Sequence, residues 1–148
     1  MKNTILTLCA FLIAFSINAQ LEVPQPSPAS KLEQKVGMTD ITVEYSRPSV
    51  KGRKIFGSLE PFGKVWRTGA NANTKISFST DIVMGGTTVK PGTYALFVIP
   101  NPKKWDVMLY ADTNNWGAPA NWDDSKVVAK TSVDVIDIPW NVETFTID

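Results

Sequence analysis

The chain has 148 residues, 43% hydrophobic, 10% aromatic and 20% charged, which suits one globular domain and excludes a disordered, collagen-like or multi-domain chain. It holds no histidine and a single cysteine, Cys9, so an imidazole base, a His-ligated metal and a disulfide framework are excluded as well. A formal charge of +1 supplies no overall field to recruit DNA, and neither a nucleic-acid partner nor a cofactor or metal is expected.

The first 19 residues read as a secretory signal peptide. Lys2 gives the positive start, residues 5–15 are an apolar run interrupted only by Thr7, and Ser16-Ile17-Asn18-Ala19 ends on a small residue after which cleavage is expected. The run is shorter than the roughly 20 residues that cross a bilayer, so no membrane span is expected after cleavage. Reading Cys9 as a lipidation site fails on the bulky Leu8 before it. The expected location is secreted or periplasmic. Cleavage removes Lys2 and Cys9, leaving a domain with balanced charge and no thiol, so its stability must come from packing.

Residues 20–30, with Pro24, Pro26 and Pro28, read as an extended proline-rich tether, and residues 31–148 as a single domain. From there the hydrophobic period is two. Ile41, Val43 and Tyr45 alternate with polar residues as in a half-buried strand, with residues 32–36 as its partner. Ile76, Phe78 and Ile82 alternate in the same way, Gly85-Gly86 is a hairpin turn, and a second turn follows Val89 at Lys90-Pro91-Gly92. Tyr94-Ala95-Leu96-Phe97-Val98-Ile99 is apolar on both faces and stops at Pro100, which predicts a central strand covered on both sides.

Trp105, Val107 and Leu109 define the next strand. Residues 126–138 hold one long strand with a bulge or two short ones, because the apolar phase slips between Val127 and Val135, and residues 142–147 read as a last strand. No stretch of helical length carries a helical apolar stripe free of proline and glycine. The expected fold is all-β, a β-sandwich of jelly-roll or immunoglobulin-like type.

One interval departs from this pattern. Residues 47–73 lack strand alternation, and a loop longer than about 12–15 residues inside a compact domain is usually functional or disordered. Phe56, Leu59, Phe62, Val65 and Trp66 are anchors enough to order it, and Phe56, Leu59 and Phe62 are spaced as in a short turn of helix. The interval also holds Arg47, Lys51, Arg53, Lys54, Lys64 and Arg67 against a single acid, Glu60, a local positive surface on a neutral domain.

Tyr45-Ser46-Arg47-Pro48-Ser49-Val50-Lys51-Gly52-Arg53-Lys54-Ile55-Phe56-Gly57 and Gly63-Lys64-Val65-Trp66-Arg67-Thr68-Gly69-Ala70-Asn71 are two distinctive motifs. Lys90-Pro91-Gly92-Thr93-Tyr94-Ala95-Leu96-Phe97 with Trp105, and then Asn115-Trp116-Gly117-Ala118, follow them in order. On these four motifs the chain resembles a family of secreted bacterial proteins, domain of unknown function 2911. The resemblance covers nearly all of the chain after the signal segment. It implies an exported or periplasmic β-rich domain with no assigned activity, and, since family members continue with a further apolar hairpin, a domain lacking a last strand or hairpin.

The candidate ligand-binding residues are Arg47, Lys51, Arg53, Trp66, Arg67, Asn71 and Asn73. An arginine fork suits a carboxylate or phosphate, Trp66 offers a face for a sugar, and the asparagines can hydrogen-bond hydroxyls. Equally, Arg47 and Arg67 can be consumed by the loop's own carbonyls and by Glu60 or Glu44, since a long loop on a sheet must satisfy many backbone groups. The first expectation is therefore a non-catalytic module for a small anionic or glycan ligand or an envelope protein partner. The others are a carbohydrate hydrolase using carboxylates with Tyr45 or Lys51, and a scaffold with no pocket.

Weaker signals are read as structural. Asp112, Asn114, Gly117 and Asp123 match positions of a calcium loop, but Trp116 fills a ligand position and strands flank it. Asp123 with Asp124 reads as a solvated turn rather than half of a glycosidase pair. Trp105, Trp116, Trp122 and Trp140 read as core or loop anchors, with stacking on a ligand open to Trp116 and Trp122, and Tyr94 reads as a tie between turn and sheet. No signal supports pairing Ser46 or Ser49 with Lys51 or Lys54 as nucleophile and base.

Overall fold

The computed structural model describes residues 23–148. The signal segment expected over 1–19, with its cut after Ala19, lies outside the described residues. The described chain is all-β. A six-stranded antiparallel sheet has the order β1-β2-β3-β6-β7-β8, and β4-β5 form a separate two-stranded hairpin. The strands are β1 Ala29–Val36, β2 Thr39–Ser46, β3 Lys75–Phe78, β4 Ile82–Met84, β5 Thr87–Val89, β6 Gly92–Ile99, β7 Lys104–Tyr110 and β8 Val127–Asp134. Among the described residues no helix is long and apolar enough to cross a membrane.

Local sequence explains most of these elements. β1 and β2 join through Gly37-Met38, with Val36 opposite Thr39 and Gly37 at φ 61°. Met84 opposite Thr87 closes the β4-β5 turn on Gly85 and Gly86, both at positive φ as such a turn requires. The alternation through Ile76, Phe78 and Ile82 does not make one strand. Ser79 donates its amide to the Asp40 carbonyl (3.0 Å) and accepts the Asp40 amide on Oγ (2.7 Å), which ends β3 and frees the chain to turn into β4.

Cross-strand partners share a face, so the register divides the core in two. On one face Ile41, Ile76, Phe78, Leu96, Leu109 and Ala129 lie together, and the hairpin adds Ile82, Met84 and Val89. On the other, Ala95, Phe97, Met108 and Tyr110 are packed by Val65, Ile99, Trp122 and Val127. β6 lies between β3 and β7 with Ala95 and Phe97 fully buried on one face and Val98 buried on the other, which is why both of its faces are apolar. In β8, Leu109 pairs with Ala129 but Tyr110 pairs with Val127, so Val128 is an extra residue and the strand is a single one with a bulge. The bulge sends Val127 to one core and Val128 to the other.

The long loop between β2 and β3 completes the sheet. β3 has four residues and pairs only with the first half of β6, leaving the backbone groups of the second half to be satisfied elsewhere. Residues of the loop supply them. Trp66 and Val98 exchange both amide bonds (2.8 and 3.0 Å), Gly63 donates to the Pro100 carbonyl (3.0 Å), and Leu96 donates to the Thr74 carbonyl (2.9 Å). The expected helical turn at Phe56, Leu59 and Phe62 is instead a series of tight turns, with Gly57 donating to the Glu60 carbonyl at 2.9 Å.

Residues 142–147 are not a strand. They make one isolated bridge, Ser49 with Thr144, flanked by Val50 N–H to the Glu143 carbonyl (2.8 Å) and Phe145 N–H to the Pro48 carbonyl (2.9 Å). Their partner is the irregular start of the long loop, where Pro48 has no amide proton to extend a ladder.

Candidate functional site

Six of the seven candidate residues have structural employment. The Arg47 guanidinium donates to the Phe145 carbonyl from Nε (3.0 Å) and to Thr146 Oγ1 from Nη2 (2.8 Å), pinning the C-terminal segment. Arg53 folds onto its own turn, donating to the carbonyls of Val50 (3.0 Å) and Ser49 (2.6 Å). Lys51 sits at the tip of that turn at φ 49°, its amide bonded to Glu143 Oε1 (2.8 Å). Asn71, also at positive φ, donates to the Ser27 carbonyl (3.2 Å) and to Ser46 Oγ (3.3 Å).

Trp66 is core. It is 5% exposed, its indole N–H donates to the Gly69 carbonyl (3.2 Å), and its ring meets Phe56, Trp105 and Phe145 edge-on with centroids 5.6, 6.3 and 5.2 Å away. Tyr45 joins this cluster through Phe145 (5.7 Å), while its hydroxyl both donates to the Ile147 carbonyl (3.2 Å) and accepts the Ile147 amide (3.1 Å). The reason lies in the register. Trp66 pairs with Val98 and projects with it to one side of the sheet, so its neighbours Val65 and Arg67 project to the other.

Asn73 is 4% exposed. Its side-chain nitrogen donates to the carbonyls of Thr113 (3.1 Å) and Asn115 (2.7 Å), and its amide donates to Asn115 again (3.3 Å). This holds the 111–117 loop against the long loop and brings Gly117 over Arg67. Gly117 is buried at φ 92°, and a Cβ there would lie 3.3 Å from Arg67 Nη1, so glycine permits the close approach.

Arg67 differs from the other arginines. It is half-buried, its Nε is fully buried, and among the described residues that Nε has no hydrogen-bond partner. An unpartnered buried N–H of a charged group is costly and calls for an explanation. Glu60 lies near enough to feel its charge without forming an ion pair. Burial raises the Glu60 carboxyl above its ordinary range, and the Arg67 charge pulls it part of the way back. Trp116, next to Gly117 in the chain, is 81% exposed.

An open groove of about 450 Å³ borders Asn73 across β1, β2 and β3, lined by Lys31, Glu44, Ser46 and Lys75 among others. Its polar lining follows from the register, which stacks Lys31, Glu44 and Lys75 across three strands. Sequence reading missed this groove because the stacking depends on register alone. It also missed that Gly117 lies over Arg67, although both belong to motifs that carry the family resemblance.

The weaker signals have local explanations. Asp112 is held below the usual carboxylate range by the Asn114 amide and by Lys126, and Asp123 by the Ser125 hydroxyl and amide. Asp123 caps a short 3₁₀ turn at Asp124–Lys126, and Asp124 accepts the Trp122 indole N–H (2.8 Å). Among the described residues no three His, Cys, Asp or Glu side chains gather as a metal site. Trp122 stacks on Tyr110 (4.6 Å, 29°), and the Tyr94 hydroxyl donates to the Lys90 carbonyl (2.8 Å), tying turn to sheet.

The model of one protein family, described as Protein of unknown function (DUF2911), matches residues 27–148. The chain belongs to this family. Of the motifs that carry the resemblance, this DUF2911 chain brings the Trp66-Arg67 segment and the Asn115-Trp116-Gly117 segment against each other, joined through Asn73. No curated protein and no solved structure matches the chain.

Proposed function

We propose that this DUF2911 chain is a secreted or periplasmic binding module, and that Arg67 beneath the Asn115–Gly117 loop recognises a small anionic or glycan ligand. The observation that carries this reading is the contrast among the three arginines. Arg47 and Arg53 are spent on carbonyls and a hydroxyl of their own chain, whereas Arg67 keeps a buried Nε without a partner. A carboxylate, phosphate or sugar hydroxyl would supply the missing acceptor, with Trp116, next to Gly117 in the chain, as an exposed aromatic face for it. In the same reading the six-stranded sheet, with the β4-β5 hairpin and the long loop laid over it, is a β-sandwich whose second layer is short.

A scaffold role is the second reading, supported by the internal bonds of Arg47, Arg53, Asn71 and Asn73. A thermal-shift panel of phosphate, sulfate, simple carboxylates, neutral sugars and uronic acids separates the two. The binding reading expects at least one of these to raise Tm in the wild type and in Arg53→Gln, and not in Arg67→Met. A response that survives Arg67→Met, or no response in any chain, leaves the scaffold reading standing.

A further inference from the structure

The long loop carries a second surface, independent of the Arg67 site. Among the described residues, ion pairs to carboxylates join Lys31, Lys35, Lys90, Lys104, Lys126 and Lys130, and none involves a cation of the 47–74 loop. Lys51, Arg53, Lys54 and Lys64 are all exposed. The one acid of the interval, Glu60, is half-buried, and burial raises its carboxyl above the ordinary range. The exposed charged side chains of residues 51–64 are therefore all cationic, with the Glu143 carboxylate reaching the loop only at its edge, where it accepts the Lys51 amide (2.8 Å).

Two apolar side chains stand among these cations. Leu59 is 51% exposed and Phe62 41% exposed, with the exposed Pro61 between them. They are held there by the turns beneath. Leu59 donates to the Lys54 carbonyl (3.3 Å), and the Phe62 ring lies on Gly57, where a Cβ would come within 2.5 Å of it. The surface is thus preformed, and binding through it orders little new chain.

We infer that the 51–64 loop docks this domain onto the surface of an anionic lipid bilayer. Lys51, Lys54 and Lys64 would meet the headgroup phosphates while Leu59 and Phe62 enter the boundary between headgroup and acyl chains. Charge complementarity selects a phosphate-rich surface, and apolar tips rising from a basic loop suit an interface only a few ångströms deep. A protein partner fits less well, because a stable protein interface buries about 800 Å² per side around an apolar centre, and this loop offers two apolar side chains amid cations.

Vesicle co-sedimentation of the protein purified after expression of the full chain tests the inference. It would use vesicles of phosphatidylcholine alone or with about a third phosphatidylglycerol, whose attraction for each basic residue is about 1 kcal/mol, near fivefold in affinity. Residues 1–22 are common to every chain compared and cancel. The triple variant Lys51→Gln, Lys54→Gln, Lys64→Gln is expected to weaken binding to the anionic vesicles about 100-fold on the same scale. A matched triple, Lys31→Gln, Lys35→Gln, Lys90→Gln, lowers net charge equally from outside the loop and should change binding by less than about threefold, each of these lysines being already paired with a carboxylate of its own, Glu33, Asp40 and Asp81.

Leu59→Ser with Phe62→Ser should abolish the fraction of binding that resists added salt. Equal loss in both lysine triples would mean non-specific attraction and overturn the inference. So would absence of binding to the anionic vesicles, or binding indifferent to the Leu59 and Phe62 changes and matched by a soluble polyanion.

Discussion

Arg67→Met and Arg47→Met should move stability in opposite directions, although the two residues look alike in sequence. In the ligand-free protein Arg67 carries a buried Nε with no acceptor, and such an orphan costs about 1–3 kcal/mol. Methionine keeps an unbranched aliphatic stem and removes the orphan together with the guanidinium that lies against Gly117. Against this stands the lost attraction to half-buried Glu60, which solvent screening keeps well below 1 kcal/mol. The net expectation is a gain of about 1 kcal/mol, or roughly 3–5 °C in Tm for a domain of this size.

Arg47→Met instead removes two charged hydrogen bonds, to the Phe145 carbonyl and Thr146 Oγ1, and should cost about 1–3 kcal/mol after allowance for partial exposure. Urea unfolding followed by tryptophan fluorescence reads both changes, with unchanged m-values showing that the unfolded states are alike. If Arg67→Met destabilises as much as Arg47→Met, Arg67 is integrated into the fold and the reasoning that assigns it to a ligand fails.

Three further outcomes follow from particular contacts. Trp66→Ala should cost about 3–5 kcal/mol as a buried member of the aromatic cluster, and Trp116→Ala less than about 0.5 kcal/mol; similar thermal melts for the two variants would contradict this packing. Gly85→Ala places a Cβ 2.3 Å from the Lys130 carbonyl oxygen, whereas at Gly86 nothing lies within 4 Å. Both positions have positive φ, so each change costs about 1–2 kcal/mol in backbone strain, and denaturant unfolding should show Gly85→Ala to be the worse by at least about 1 kcal/mol more. The raised pKa of Glu60 means the folded state holds its proton more tightly, so its contribution improves as pH falls from neutral through the raised value toward the ordinary 4.5. Glu60→Gln should therefore be more stable than wild type at neutral pH, with the advantage shrinking on acidification; an advantage that grows toward low pH would show the sign to be wrong.

The strands, hairpin turns and central β6 were legible because each rests on local information: a period of two, a Gly-Gly pair, a run apolar on both faces. The bulge was legible only in part, since the phase slip between Val127 and Val135 allows one bulged strand or two short ones, and the pairing with β7 selects the first. The extra strand expected over residues 142–147 was not, since a ladder needs a regular partner and residues 47–50 with Pro48 do not provide one. Nor could residue type alone separate the arginines. Arg47 meets Phe145 and Thr146 nearly a hundred positions away, whereas Arg67 is turned by the pairing of Trp66 with Val98 to the opposite side of the sheet, under a loop some fifty residues distant.

The family, the all-β class and the exclusion of histidine chemistry are thus properties of the sequence by itself, set by composition, period and motif. The basic loop too is visible there. Which of its residues hold the fold and which are left unpaired is a matter of which strand the loop pairs with and which face each side chain then takes. Only the tertiary structure decides that, because the partners that satisfy or fail to satisfy a buried polar group come from distant parts of the chain.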